Sequence, residues 1–167
     1  MSGLVALALS IGVLGGVATW LALGPLAGVV TIWMIFIAWG SYFHNGGDNA
    51  ALKNTIVCGI FGSIMAGIGA LLILNVSLGA LTAPIWVGVT VFILVYASKV
   101  PALSVIPTAV YGYAATFAYL LEGARLNIVT MGAIELSNPV VVVSLSFIVG
   151  TLFAAASGKL AGALGSD

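Results

Sequence analysis

Long apolar runs are the feature that most limits how this chain can fold. Six of them, bounded by charged residues or by helix-breaking Gly and Pro, lie at 4–23, 26–43, 55–74, 84–98, 103–121 and 139–157. A helix that crosses a bilayer needs about 20 predominantly apolar residues, and most of these runs approach that length. The pattern predicts an all-α polytopic membrane protein, with residues 1–167 forming a single membrane domain. We expect a compact bundle of about six transmembrane helices embedded in the lipid bilayer.

Charged side chains are too few for a protein surface that faces water. Only 5% of the 167 residues are Asp, Glu, Lys or Arg, and 62% are hydrophobic, whereas a soluble protein has about 25% charged residues. The four cations are spread along the chain and form no basic stripe for phosphates, which excludes a nucleic-acid-binding protein. The runs use most of the chain, so the function is carried inside the bilayer or at its two faces.

The distribution of cations predicts the orientation of the spans. Six spans place both termini on one side of the membrane together with Lys53, Lys99 and Lys159, and leave Arg125 alone on the other side. Cytoplasmic loops carry an excess of Lys and Arg, so this bias predicts that both termini are cytoplasmic and that the connection 122–138 is external. We expect that connection to form a short interfacial helix or a lid.

Small residues recur at every fourth position in two of the runs. They are Gly59, Ser63 and Gly67 in the third run, and Gly150, Ala154, Gly158 and Gly162 in the sixth. In lipid, small residues at this spacing let helix backbones approach closely. One interpretation is packing within a single subunit. The other is that at least one stripe, best the sixth, joins the subunits of a homo-oligomer such as a trimer or another small ring.

The fifth run carries the most polar face at membrane depth. Its members, four residues apart, are Ser104, Thr108, Gly112 and Thr116. Pro107 has no N–H to donate to the carbonyl of Leu103, so the sequence predicts a helix break that leaves this acceptor for a side chain, water or a solute. The face is predicted to line a pore that Tyr111 or Trp33 narrows. The alternative is ordinary packing, with each hydroxyl bonded to a carbonyl of its own helix.

The sequence predicts no catalytic site. An intramembrane enzyme needs a nucleophile with its base, a set of metal ligands or paired carboxylates. His44 and Asp48 lie in a Gly-rich turn, which is more typical of a solvated loop than of a metal site. We therefore expect no enzyme activity, no cofactor and no metal. The middle of every run also lacks Asp, Glu, Lys and Arg, which favours a neutral solute over an ion or proton pathway.

Three stretches are similar to the YcdZ-like family of small bacterial inner-membrane proteins. They are Trp33 to Lys53 with Ser41-Tyr42-Phe43 and Gly46-Gly47, the stretch Ser104-Val105-Ile106-Pro107 followed by Gly112-Tyr113-Ala114-Ala115-Thr116-Phe117-Ala118, and the small-residue repeat of the sixth run. The resemblance implies a compact six-helix protein of the bacterial inner membrane with no established activity. The connection 122–138 is longer than the resemblance implies.

Two functions remain open at this point. A channel or facilitator for a small neutral solute, such as urea, a short amide, a polyol or a gas, is supported by the hydroxyl face and by the lack of deep charges. A non-transporting scaffold or regulatory subunit of a larger membrane complex is supported by the small size and by the small-residue stripes. Inverted repeats mark many transporters, but the two halves of this sequence do not align, and we identify no repeat from the sequence.

Overall fold

The computed structural model describes residues 1–165, so that Ser166 and Asp167, the end of the predicted domain, lie outside the described residues. Within them the chain forms seven α-helices: α1 (Gly3–Leu23), α2 (Ile32–His44), α3 (Asn49–Asn75), α4 (Thr82–Tyr96), α5 (Ile106–Leu121), α6 (Ile128–Gly132) and α7 (Pro139–Leu164). The prediction of an all-α protein built from apolar helices is confirmed.

Four segments of the described chain are long and apolar enough to cross a membrane: Gly3–Leu23, Asn49–Asn75, Gly79–Lys99 and Pro139–Leu164. The helices α2 and α5 have 13 and 16 residues. At about 1.5 Å per residue they reach roughly 20 Å and 24 Å, which is less than the hydrocarbon thickness of about 30 Å. Each of them would therefore cross a membrane only together with the irregular backbone before it, at 24–31 and 97–105.

The irregular segment before α2 consists of turns. The N–H groups of Val29 and Val30 both donate to the carbonyl of Leu26, at 3.0 and 3.2 Å. Gly28 has φ +82°, a left-handed conformation that glycine adopts without the steric cost of a Cβ. As a result α2 begins later than the apolar run that predicted it, because hydrophobicity alone does not distinguish an apolar turn from an apolar helix.

The contacts divide the described chain into two compact units, where the sequence indicated a single domain. Unit 1 contains Met1–Ile56 and the chain from Leu145 onward, and unit 2 contains Val57–Ser144. The core of unit 1 includes Ile35, Trp39 and Ala154, so it is built from α2, α7 and the adjoining α1. Unit 2 has its core on α3, α4 and α5.

The connections next to α3 and α7 are held by side-chain caps. The Oδ1 atom of Asp48 accepts a hydrogen bond from the N–H of Ala51 at 2.7 Å, which satisfies one of the unpaired donors at the start of α3. The connection 122–138 includes the short helix α6. Asn138 follows α6, and its amide donates to the carbonyls of Met131 and Ala133 at 3.1 and 3.0 Å.

Candidate functional site

The start of α5 is where the sequence predicted a helix break. Pro107 lies in the first turn of α5, and a helix leaves the N–H groups of its first turn without an intrahelical partner in any case. Leu103 lies outside α5, in a 3-10 turn at Pro101–Leu103. The predicted break is therefore a helix start, because proline costs no hydrogen bond at that position. Ser104 is exposed between the turn and the helix.

The predicted hydroxyl face of α5 divides into an exposed end and a buried stretch. Thr108, Gly112 and Thr116 are buried. The hydroxyl of Thr116 donates to Ser63 Oγ on α3 at 2.8 Å, and the carbonyl of Gly112 is also within hydrogen-bond distance, at 2.8 Å. A Cβ added at Gly112 would overlap the carbonyl group of Gly59. This stretch is packed against α3, which is the alternative that the sequence left open.

The approach of α5 to α3 depends on glycine from both helices. A Cβ added at Gly62 would overlap the carbonyl of Ala109, just as one at Gly112 would overlap the carbonyl of Gly59. Backbone groups of the two helices are therefore in direct contact. Small residues at helix interfaces permit such contact in a membrane, and they fix the rotation of α5 about its axis.

That rotation turns a different face of α5 away from α3. We call it the outer face of α5, and its members are Ser104, Pro107, Tyr111 and Ala114, all of which are exposed. The side chain of Tyr111 is 38% exposed. Ser104 and Tyr111 therefore provide hydroxyl groups on the outer face, whereas Thr108 and Thr116 lie inside unit 2.

A second polar pair in unit 2 joins α4 to α5. The hydroxyl groups of Thr90 and Tyr113 are 2.8 Å apart and buried. Thr90 also donates toward the carbonyl of Trp86 at 2.8 Å. Tyr113 lies two residues after Tyr111, which places it on nearly the opposite side of α5 from the outer face. The pair joins α4 to α5 through a hydrogen bond.

In unit 1, the aromatic residues of α2 have separate roles. Trp39 is 3% exposed, and its indole N–H donates to Ser157 Oγ on α7 at 3.2 Å. Its ring also stacks on Phe36, with centroids 5.7 Å apart. Trp33, which the sequence predicted to narrow a pore, is only partly buried. Trp39 therefore anchors α2 to α7, while Trp33 lies away from this anchor.

The stripe on α7 packs within unit 1 along most of its length. A Cβ at Gly150 would overlap the carbonyl of Ile35, and one at Gly158 would lie 3.6 Å from the ring of Phe43. Ala154 is fully buried. At Gly162, in contrast, an added Cβ meets no atom within 4 Å, so only this end of the stripe is open.

The stripe on α3 packs within unit 2. Gly59 lies against Gly112, and a Cβ at Gly67 would lie 2.6 Å from a methyl group of Val140. The Ser63 hydroxyl is 3.3 Å from the Val140 carbonyl, so this residue contacts both α5 and α7. All three small residues therefore hold α3 to neighbouring helices.

Sequence reasoning missed Thr90, Ser146 and Ser157 as structural polar groups. Each is fully or almost fully buried, and Ser146 Oγ accepts the N–H of Thr31 at 3.0 Å. A signal was present in the sequence, because each is an isolated hydroxyl residue within a long apolar helix. A hydroxyl in hydrocarbon needs a partner, so such a residue indicates a contact with another helix or with its own backbone.

The chain was compared with known proteins. The model of a family described as "Protein of unknown function (DUF1097)" matches residues 8–162. Neither the curated proteins nor the solved structures provide a match. The family match covers α1 from residue 8, all of α2 to α6, and all but the last two residues of α7, so it includes both short helices and both long partners to which they are anchored. The chain belongs to this uncharacterised DUF1097 family.

Proposed function

We propose that this protein is a membrane channel or facilitator for a small neutral solute. The observation that carries the proposal is the pair of short helices, α2 and α5, each preceded by backbone that is not α-helical: turns at 24–31 and two 3-10 turns with their connections at 97–105. Irregular backbone at hydrocarbon depth is stable only where it is buried in protein or lines a water-filled cavity. Discontinuous helices of this kind form the solute sites of many transporters.

The outer face of α5 supplies the polar groups of the proposed pathway. The Ser104 and Tyr111 hydroxyls, with the carbonyl of Leu103, offer the donors and acceptors that can replace the water around a solute. The buried residues of the predicted face, Thr108, Gly112 and Thr116, contribute to the proposed pathway indirectly. They lie inside unit 2, where α5 packs against α3. Trp33 keeps the role of a narrowing residue in this proposal.

The charge distribution supports a neutral solute. The helices α1, α2, α4 and α5 contain no Asp, Glu, Lys or Arg, and deep ionisable groups are the usual mark of ion or proton pathways. Urea, a short amide, a polyol and a dissolved gas fit this chemistry. We also propose that the protein is not an enzyme and requires no cofactor, since its buried hydroxyl groups bond to one another or to carbonyls of their own helices.

Solute flux tests this function directly. Liposomes that contain the purified protein are expected to take up one or more neutral solutes faster than protein-free liposomes. Tyr111→Phe removes one hydroxyl and keeps the ring, so flux should fall about fivefold, as expected for the loss of a hydrogen bond of about 1 kcal/mol. Tyr96→Phe is the matched control, because Tyr96 ends α4 and stacks on Phe92.

Permeability equal to that of protein-free liposomes for the whole panel would contradict the transport function. The scaffold function would then be favoured. Equal losses in Tyr111→Phe and Tyr96→Phe would show that the phenol of Tyr111 has no specific role, and the outer face of α5 would no longer be the proposed pathway.

We propose that the protein forms a homo-oligomer, a trimer or another small ring, through the open end of α7. Gly162 is the member of the α7 stripe with free space beside it, so a second copy can approach the backbone there. Gly162→Leu should lower the particle mass measured in nanodiscs to that of one chain. Gly88, in α4, is helical and also has open space beside an added Cβ, so Gly88→Leu provides a size-matched control in which the mass stays unchanged. A full-size particle from Gly162→Leu would contradict this interface.

We propose that the protein lies in the bacterial inner membrane with cytoplasmic termini. The resemblance to YcdZ-like proteins supports the membrane, and the cation bias supports the orientation. In a Cys58→Ser background, Gly123→Cys should react with an impermeant maleimide added to intact cells, and Asn49→Cys should react only after the cells are opened. Protection of position 123 together with labelling of position 49 from outside would reverse the orientation.

A further inference from the structure

The two units contain the same helix contact. In unit 1 the short helix α2 packs along α7, and in unit 2 the short helix α5 packs along α3. Adding 74 to a residue number of α2 gives its counterpart on α5, and subtracting 88 from a residue number of α7 gives its counterpart on α3. Residues that touch in unit 1 then have counterparts that touch in unit 2. Three contacts follow these two fixed shifts.

The first contact lies at the start of each short helix. The N–H of Thr31 donates to Ser146 Oγ at 3.0 Å. The shifts convert Thr31 into Val105 and Ser146 into Cys58, and the sulfur of Cys58 is 3.6 Å from the carbonyl of Ala102, three residues before Val105. In both units the segment just before the short helix therefore contacts the corresponding side chain of the long helix.

The second contact lies one turn further along. A Cβ at Gly150 would overlap the carbonyl of Ile35, and a Cβ at Gly62 would overlap the carbonyl of Ala109. The shift of 74 converts Ile35 into Ala109, and the shift of 88 converts Gly150 into Gly62. The closest backbone approach of each pair of helices therefore occurs at the same register.

The third contact follows another turn later. The indole N–H of Trp39 donates to Ser157 Oγ. The counterparts are Tyr113 and Gly69, and a Cβ at Gly69 would lie 3.5 Å from the hydroxyl of Tyr113. Phe43 contacts Gly158, and its counterpart Phe117 packs against the cluster that contains Ala70, the counterpart of Gly158.

We infer that the chain consists of two copies of one structural repeat, α1–α2–α3 and α4–α5–α7. The three contacts keep one register along each helix pair, which a chance resemblance between two helix pairs would not do. The repeats also exchange partners, because the short helix of each repeat packs on the long last helix of the other. With three spans in each repeat, the counterpart connections 45–48 and 122–138 lie on opposite sides of the membrane, as in inverted-repeat transporters.

The repeat assigns a second solute-contacting face, and this assignment rests on the proposed function. The part of the outer face that lies within α5 has its counterpart on α2, where the same shift converts Pro107, Tyr111 and Ala114 into Trp33, Ile37 and Gly40, whereas Ser104 converts into Val30, which is buried. Gly40 is exposed, and Trp33 and Ile37 are only partly buried. This outer face of α2 is apolar, so it contacts a solute through its shape rather than through hydrogen bonds.

Disulfide cross-linking of the full-length protein in membranes tests the repeat. Two variants place cysteines at counterpart positions: Val105→Cys, which pairs with the native Cys58, and Thr31→Cys with Ser146→Cys in a Cys58→Ser background. A membrane-permeant oxidant should join the two cysteines of each variant in a disulfide. A maleimide mass tag, which counts free thiols, should then detect none. In each of two control variants, one cysteine is placed on an outer face instead. These variants are Tyr111→Cys with the native Cys58, and Ile37→Cys with Ser146→Cys in a Cys58→Ser background. Both thiols of each control variant should remain free after oxidation. Failure of either counterpart pair, or equal loss in the controls, would overturn the repeat.

Thiol labelling tests the second face without requiring solute flux. Single cysteines at positions 37 and 111, in a Cys58→Ser background, should both react with a small hydrophilic thiosulfonate, and a single cysteine at the buried position 38 should not. Labelling at 111 without labelling at 37 would overturn the assignment to α2. Protection of both would overturn the solute role of both outer faces while the cross-links still support the repeat.

Discussion

Gly112→Leu is expected to abolish the folded protein. A Cβ at this position overlaps the carbonyl group of Gly59, and no side-chain rotation can relieve an overlap between two helix backbones. The helices α5 and α3 would have to separate, which would also break the hydrogen bond of Thr116 to Ser63. We expect a loss of more than about 3 kcal/mol. Size-exclusion chromatography in mild detergent should show aggregate in place of the folded peak.

Gly88→Leu is the matched control for this substitution. Gly88 lies in α4 of the same unit, is also helical, and has no atom within 4 Å of an added Cβ. The same change in volume at Gly88 should leave the elution profile unchanged. A Gly112→Leu protein that elutes like the parent would show that α5 is not packed against α3 as described, and if it also no longer conducts, Gly112 would again be a candidate for lining the pore.

Trp39→Ala is expected to cause the second large loss. The substitution empties a site in the core of unit 1 and removes the hydrogen bond to Ser157, for a cost of about 3–5 kcal/mol. The thermal midpoint in detergent should fall on the order of 10 °C, given the usual proportion between free energy and midpoint for a chain of this size. Trp39→Phe keeps most of the ring and should lose about 1 kcal/mol, the value of the hydrogen bond.

Trp20→Ala provides the control for an aromatic residue in the same unit. Trp20 is 65% exposed, so its removal should change the midpoint by only a small fraction of the Trp39→Ala effect. Equal shifts in the two variants would show that the midpoint reports detergent contact rather than packing. In that case the anchor between α2 and α7 would lose its support.

The apolar runs predicted the all-α class and the approximate position of every long helix. They did so because a helix in lipid must satisfy its own backbone groups, so that a long apolar run has few alternatives. The same argument did not find the turns at 24–31, since these residues are as apolar as a helix. Gly28 was the available signal, because a left-handed φ favours glycine.

The candidate site was harder to predict from the sequence. The four-residue spacing identified Ser104, Thr108, Gly112 and Thr116 as one face, but spacing does not show what that face contacts. The deciding information is the partner helix. On α3, Gly59 contacts Gly112 and Ser63 bonds to Thr116. Each of these contacts joins residues about fifty positions apart in the sequence. A single sequence contains no record of it.

The repeat escaped alignment for a chemical reason. Its counterpart contacts are conserved as geometry and not as residue types, since Thr31 with Ser146 corresponds to Val105 with Cys58. Hydroxyl, sulfur and glycine replace one another where the space between two helices is similar. Gly150 and Gly62 match in identity, because there the backbones themselves meet and no other residue fits.

The pairing of α2 with α7 has a consequence for synthesis on the ribosome. The helix α2 is complete at His44, but the residues that receive it, Ser146, Gly150 and Ser157, are translated more than a hundred residues later. Until then the indole N–H of Trp39 and the N–H of Thr31 lack the hydroxyl groups that accept them in the folded protein. A protein that inserts in this order needs α2 to be shielded during elongation, so truncated nascent chains that end before α7 should remain bound to the insertion machinery.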